Sequence, residues 1–276
     1  MSDTIAYYCG GTKPVLELLT SIYSVRKHGW NGNIVVCLGK TSIPHLKTLI
    51  DSGEVEIIEV PESENDVHPR EHWVSRWRGM SYITDDRVIH PDCDMTFVDN
   101  PKIFFDLLHK DPEFITTFHS VNNGEYFEQW NGHIREYKKV DPNFNEEFPF
   151  YIEMGILGWR GNYKHCMEIS EVCKLTKDDQ TAMSYVLMKN GRKAHKPPLR
   201  HELMRRARNY WKLSPEEYDA VVAWHCHPEY NMWWKFYLEA KEANYMGLAN
   251  IPTSIYPKVD RAIAMNEVPL QDNRPT

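Results

Sequence analysis

Several common signatures are missing from this chain, and each absence removes a class of function. Neither Gly-x-Gly-x-x-Gly nor Gly-x-x-x-x-Gly-Lys-Ser/Thr occurs, so neither a dinucleotide-binding fold nor a P-loop is supported. The six cysteines form no Cys-x-x-Cys pair, which argues against a zinc knuckle. No apolar run approaches the length that spans a bilayer. Positive charge is in the minority: 32 Lys and Arg stand against 39 Asp and Glu, a formal net charge of -7. That balance disfavours general affinity for nucleic acid or anionic membrane. There is no internal repeat and no low-complexity tract. The start, Met1-Ser2-Asp3-Thr4, lacks a basic segment followed by an apolar run, so the expectation is no signal peptide.

The 276 residues are 42% hydrophobic and 12% aromatic, with nine Trp, enough for a packed core and for an aromatic cleft. Cys9, Cys37 and Cys93 lie in or beside apolar strand-like runs, where small buried thiols are ordinary. Together with Cys166, Cys173 and Cys226 they read as reduced thiols of a cytoplasmic protein without structural disulfides.

Strand and helix patterns alternate from the start. A strand at 4–8 leads to Cys9-Gly10-Gly11, a helix is spaced by Leu16, Leu19, Ile22 and Val25, and Asn31-Gly32 turns into a strand at 33–38. A helix near 43–50, a strand at 54–60, a polar loop at 61–70 and a helix over 72–83 follow. This alternation predicts an α/β fold with a mostly parallel sheet covered on both faces. Ligands of such sheets sit beyond the carboxyl ends of the strands, where Tyr7, Tyr8, Gly10 and Gly11 fall. Further on, the pattern predicts a helix after Asn100-Pro101, strands at 114–118 and 148–159, and helices at 163–172, 178–189 and 233–243. Residues 119–147 read as a long loop excursion, and everything from 250 onward as a loosely held tail.

The organising stretch runs from Arg87 to Asp99. Val88 and Ile89 form a buried strand that ends in two carboxylates one residue apart, Asp92 and Asp94. Alternate residues of an extended chain share a side, so both can face one ligand. Two hard oxygen donors at a strand end suit Mg²⁺ or Mn²⁺ bridging a diphosphate. An isolated Asp-x-Asp is more often a solvated turn, so the surroundings decide. A strand-like run at 220–224 delivers His225-Cys226-His227, either ring of which can complete a metal site. Asp178 and Asp179 open a helix, where acids favour the positive end of the dipole, and Gln180 follows. Glu153 stands in an otherwise apolar strand, where a carboxylate needs a partner. Residues 192–212 concentrate Arg and Lys, either as a solvated face or facing phosphates or an acidic acceptor.

The order of these parts resembles the GT-A nucleotide-sugar glycosyltransferases, closest to the retaining group that includes glycogenin and the bacterial lipopolysaccharide galactosyltransferases. The likeness spans roughly residues 4–235. A basic helix residue, Arg76, precedes the strand Val88-Ile89-His90-Pro91-Asp92-Cys93-Asp94. Glu153-Met154-Gly155-Ile156 is similar to an Asn-small-Gly-Val strand, with Glu replacing Asn. Asp179-Gln180 matches an Asp-Gln pair opening a helix. The region from His225 is similar to a His-x-x-Gly-x-x-Lys segment, although Pro228 and Asn231 take the Gly and Lys positions and Lys235 lies further on.

What the resemblance implies is a Rossmann-like GT-A domain over residues 1–249, with a nucleotide-binding part to about 118, a less regular helical C-terminal part, and a tail at 250–276. It implies an enzyme that moves a sugar from a nucleoside diphosphate, UDP in the expectation, to a glycan or other hydroxyl acceptor with retention. Mn²⁺ or Mg²⁺ would be held by Asp92, Asp94 and His225. Arg76 and Lys235 would contact the diphosphate, and Tyr7 or Tyr8 would stack on the base beside Gly10. Asp179 and Gln180 would balance the oxocarbenium-like centre, with Glu153 as runner-up. The excursion at 119–147, with Tyr126, Phe127, Trp130 and Tyr137, and the basic segment at 192–212 would wall the acceptor side. The competing readings are a metal-dependent phosphohydrolase, a non-catalytic nucleotide-sugar or glycan-binding module, and a transferase acting on modified nucleic acid, which the acidic charge disfavours.

Overall fold

Residues 1–11, 14–39, 46, 52–61, 71–118, 130–144, 152, 154–176, 178–191, 194–197, 203–207, 213–226, 228 and 230–265 are described by a computed structural model. The expected helix near 43–50 and loop at 61–70 fall almost wholly outside them, as do Glu153, His227 and most of 192–212.

The main sheet has seven strands: β1 (Asp3–Cys9), β2 (Asn33–Gly39), β3 (Glu56–Val60), β4 (Arg87–Pro91), β6 (Ile115–Thr117), β7 (Ile156–Arg160) and β8 (Ala194–His195). Their order is β3-β2-β1-β4-β7-β6-β8. Every pairing is parallel except those of β7, which runs antiparallel to β4 and β6. β-Branched residues such as Ile34, Val35 and Val36 favour this pleated backbone. Alternate residues feed two separate cores. Ile5, Tyr7, Ile34, Val36 and Ile89 pack on one face, while Ala6, Val35, Cys37 and Val88 pack on the other.

Helices cover both faces. On the first lie α1 (Pro14–Lys27), which starts with Pro at its first turn, and α3 (Lys102–Asp106). On the second lie α2 (Glu71–Met80), α5 (Cys166–Cys173) and α6 (Asp179–Lys189). Gly158 in β7 has a steric reason: an added Cβ would lie 2.7 Å from Ile89 Cδ1 and 3.1 Å from the Val88 carbonyl. Leu108, in the turn after α3, and β4 both approach this strand closely.

A second sheet, β5-β10-β9, joins β5 (Met95–Phe97), β10 (Ala223–His225) and β9 (Met204–Arg206). β10 pairs antiparallel with β5, with His225 opposite Met95. This small sheet carries a late histidine back to the early carboxylates. Before β10, Ser214 caps the short α7 (Pro215–Asp219) with a complete capping box to Glu217, as its sequence implies. After β10, α8 (Asn231–Glu242) buries Trp233, Trp234 and Tyr237 against α1.

Two segments differ from expectation. Inside the supposed excursion, Trp130–Val140 form helix α4, because Tyr137 is fully buried against Tyr185 and Phe144. The tail is not loose as far as residue 265. α9 (Pro257–Ala264) buries Val259, and the Tyr256 hydroxyl donates to Glu17 Oε1 at 2.9 Å, tying the segment to α1. Few apolar residues suffice here because they are the ones that reach the core.

Candidate active site

β4 ends at Pro91, beside the cleft at the carboxyl edge of the parallel strands. The Asp92 amide donates to the Gly155 carbonyl at 2.8 Å, and the Asp94 carbonyl accepts from the Cys226 amide at 2.9 Å. The carboxylate pair is thus pinned on one side by the approach to β7 and on the other by the residue after β10. The second tie places His225 Nε2 at 3.2 Å from the Asp94 carboxylate. Asp92, Asp94 and His225 each offer a ligand atom, all within 4.8 Å of one another. Among the described residues this is the one cluster of three or more such groups.

Arg76, on α2, reaches the same place. Its Nη2 lies 2.5 Å from Asp92 Oδ1 and its Nη1 lies 3.3 Å from Asp179 Oδ2. Asp179 is positioned by a local device: Asp178, in an extended conformation, accepts from the Thr181 amide at 2.6 Å and caps α6. Asp179 is then the first helical residue, with Gln180 behind it in the first turn. Arg76 thus joins Asp179 to Asp92.

Burial and charge oppose one another here. Burial pushes the Asp179 carboxyl up to about 6, although the Arg76 guanidinium pulls the other way. Burial also disfavours a charged ring at His225, but Asp94, and then Asp92, outweigh it and raise that group to about 9. The imidazolium and the guanidinium therefore offset two of the three carboxylate charges.

Beside this cluster opens a cavity of about 340 Å³, lined by Tyr8, Gly10, His72, Trp73, Arg76 and the Asp92–Asp94 segment among others. A Cβ on Gly10 would lie 2.5 Å from both His72 Nδ1 and the Tyr8 hydroxyl, so glycine keeps this wall thin.

Other expected residues are placed elsewhere. Tyr7 points away from the cleft into the first core, where it is fully buried with its hydroxyl 2.8 Å from Ser21 Oγ, so it offers no face to a base. Tyr8 is the residue of that pair at the cavity. Lys235 lies in a different cavity, of about 560 Å³, with His28, Asp99, Asp219 and Phe236, and its ammonium sits 5.8 Å from the Phe236 ring. Glu153 and His227 lie outside the described residues, as do the side chain of Trp130 and both Tyr126 and Phe127. Three residues at the site carried no expectation: His72, Trp73 and His90. His90 had a readable signal, because it alternates with Val88 and Asp92 along the run that leads from β4 into the carboxylate pair.

No protein-family model and no curated protein sequence matches the chain. Solved structures do match its fold. The galactosyltransferase LgtC, in complex with donor and acceptor sugar analogues, aligns with a TM-score of 0.59 and 15% identity, over 86% of this chain and 95% of that one. The glycosyltransferase GlyE of Streptococcus pneumoniae TIGR4 aligns with a TM-score of 0.56 and 10% identity, over 96% of this chain and 65% of its own. The bifunctional glycosyltransferase WbbM gives 0.55 and 15% identity, over 94% of this chain. This chain spans about half of WbbM, 51% of its length. The architecture is the GT-A glycosyltransferase fold, with its mostly parallel sheet flanked by helices. Among the described residues, no helix is long and apolar enough to cross a membrane.

Proposed function

We propose that this chain, whose fold is that of GT-A glycosyltransferases, is itself a metal-dependent glycosyltransferase. It would move a sugar from a nucleoside diphosphate, UDP in the first instance, to a glycan or other hydroxyl acceptor. The observation that carries this reading is the convergence of Asp92, Asp94 and His225, whose ligand atoms lie within 4.8 Å of one another beside an open cavity.

The donor set fits a divalent ion. Two carboxylates and one imidazole on one side leave the remaining positions of a six-coordinate Mn²⁺ or Mg²⁺ to water and diphosphate oxygens. The Asp94 and Asp92 carboxylates that raise His225 are the same groups that would draw a cation to this position. An ion held by Asp92, Asp94 and His225 would supply Lewis-acid stabilisation of the charge that develops on the departing diphosphate.

The chain's own groups do the rest. Arg76 presents a guanidinium at the Asp92 side of the cavity, where it adds charge-assisted hydrogen bonds to the same oxygens. Asp179, mostly ionised above about pH 6, offers negative charge to the oxocarbenium-like carbon, with Gln180 next to it. Tyr8 and Trp73 give the base aromatic faces to stack on. Retention is the stereochemical part of the proposal and rests on the order of the motifs. Lys235 has no part in it.

The test is a thermal-shift panel of nucleotides and nucleotide sugars, each with Mn²⁺ and with EDTA. A ligand that binds the native state raises the apparent Tm by mass action, so the donor is found before the acceptor is known. UDP and one UDP-sugar should raise the Tm with Mn²⁺ alone. A shift of equal size in EDTA, or none for any nucleoside diphosphate, would sink the reading.

A further inference from the structure

His90 is 1% exposed, yet both of its ring nitrogens are engaged. Nδ1 lies 2.6 Å from the Ala6 carbonyl on β1. A carbonyl only accepts, so Nδ1 carries the proton and Nε2 keeps its lone pair. Arg76 Nε–H donates to that lone pair at 2.7 Å. The ring itself is held edge-on between Trp77 and Trp159, with centroids 6.4 and 6.2 Å away.

A guanidinium is a rigid plane, so fixing Nε–H fixes where both Nη groups point. In this plane Nη2 meets Asp92 at 2.5 Å and Nη1 meets Asp179 at 3.3 Å. Removing the Nε acceptor would leave Arg76 its charge and its two anionic neighbours, but not the orientation that lets one side chain serve both. We propose that His90 is a positioning residue: its imidazole, held in one tautomer by the Ala6 carbonyl, sets the plane of Arg76 so that a single guanidinium bridges Asp92 and Asp179. What the cleft binds rests on the glycosyltransferase reading; the bridge itself does not.

The experiment is a double-mutant cycle read on Mn²⁺-dependent UDP binding by calorimetry. His90→Phe keeps a ring between the two tryptophans and removes both nitrogens, whereas His90→Gln offers an amide donor and a carbonyl acceptor. Loss of one charge-assisted hydrogen bond should weaken UDP about tenfold in His90→Phe, and His90→Gln should recover most of it. Arg76→Lys, which cannot bridge, should lose at least as much, and adding His90→Phe to it should change nothing further. Additive losses would mean that His90 acts by packing, and an unaffected Arg76→Lys would leave it nothing to act on; either overturns the proposal.

UDP binding without sugar transfer would sink the enzyme reading and leave this cycle intact. Were UDP not to bind, nitrogen NMR of the histidine rings decides. His90 should show a protonated Nδ1 and a bare Nε2, with the Nε2 resonance moving in Arg76→Lys and not in Lys235→Ala. A protonated Nε2 would overturn the proposal.

Discussion

The Asp94 carboxylate stands between His225 and the cavity, so Asp94→Asn changes one charge without changing shape. It should abolish Mn²⁺-dependent binding of a nucleoside diphosphate while leaving circular dichroism and the unfolding transition close to wild type. Equal calorimetric affinity for the diphosphate in EDTA and in Mn²⁺ would refute the metal requirement. His225 supplies a pH signature. Its folded value, about 9, lies above the ordinary 6.5. In the metal-free protein this ion pair contributes stability that is fully present below about 6.5 and is lost as pH rises through 9. A metal must displace the same proton, so Mn²⁺ affinity should climb about tenfold per pH unit up to about 9. Titrations at pH 6.5, 7.5 and 8.5 that gave one affinity would show that His225 is not a ligand. The carboxylate pair was readable in the sequence because a strand's period of two is local information, and the same period marks His90. The displacement of Lys235 was not readable. Motif spacing counts residues, while the side of the sheet on which α8 lies depends on its packing against α1 through Trp233, Trp234 and Tyr237.

At the level of elements, the cap on α6 links stability to the site. Asp178→Ala removes the acceptor for the Thr181 amide and should destabilise the fold by about 1 kcal/mol in urea unfolding. It should also loosen Asp179 and lower diphosphate affinity; retained stability would mean that the cap is replaced by solvent. Gly158→Ala tests the β4–β7 contact. Its new Cβ would press on Ile89 and on the Val88 carbonyl, which is backbone and cannot swing away. Overpacking of this kind should lower stability by about 2 kcal/mol, and an unchanged urea midpoint would show that the sheet opens there at no cost. Strands and long helices were legible because their apolar periods are regular. Helix α4 was not, because a polar, Asn-rich sequence hides one buried Tyr137 whose partner, Tyr185, lies on α6.

On the scale of the whole molecule, the C-terminal segment belongs to the body of the fold. A chain ending at residue 249 loses the burial of Tyr256 and Val259 and the hydrogen bond to Glu17. Its stability should fall by on the order of 3 kcal/mol, with the Mn²⁺ site still formed; an unaltered Tm would mean that the segment adds nothing. The central sheet has a further consequence. It acts as a firebreak between two cores, and the site straddles it. His90 and Trp77, beneath Arg76, rest on one core, while Met95 and Trp224, beside Asp94 and His225, rest on the other. Chain neighbours such as Val36 and Cys37 face opposite cores. An engineer repacking the face under α1 would disturb the metal ligands first, and one repacking the face under α2 would disturb the guanidinium bridge first. The kind of function lost would then identify the face that had been touched.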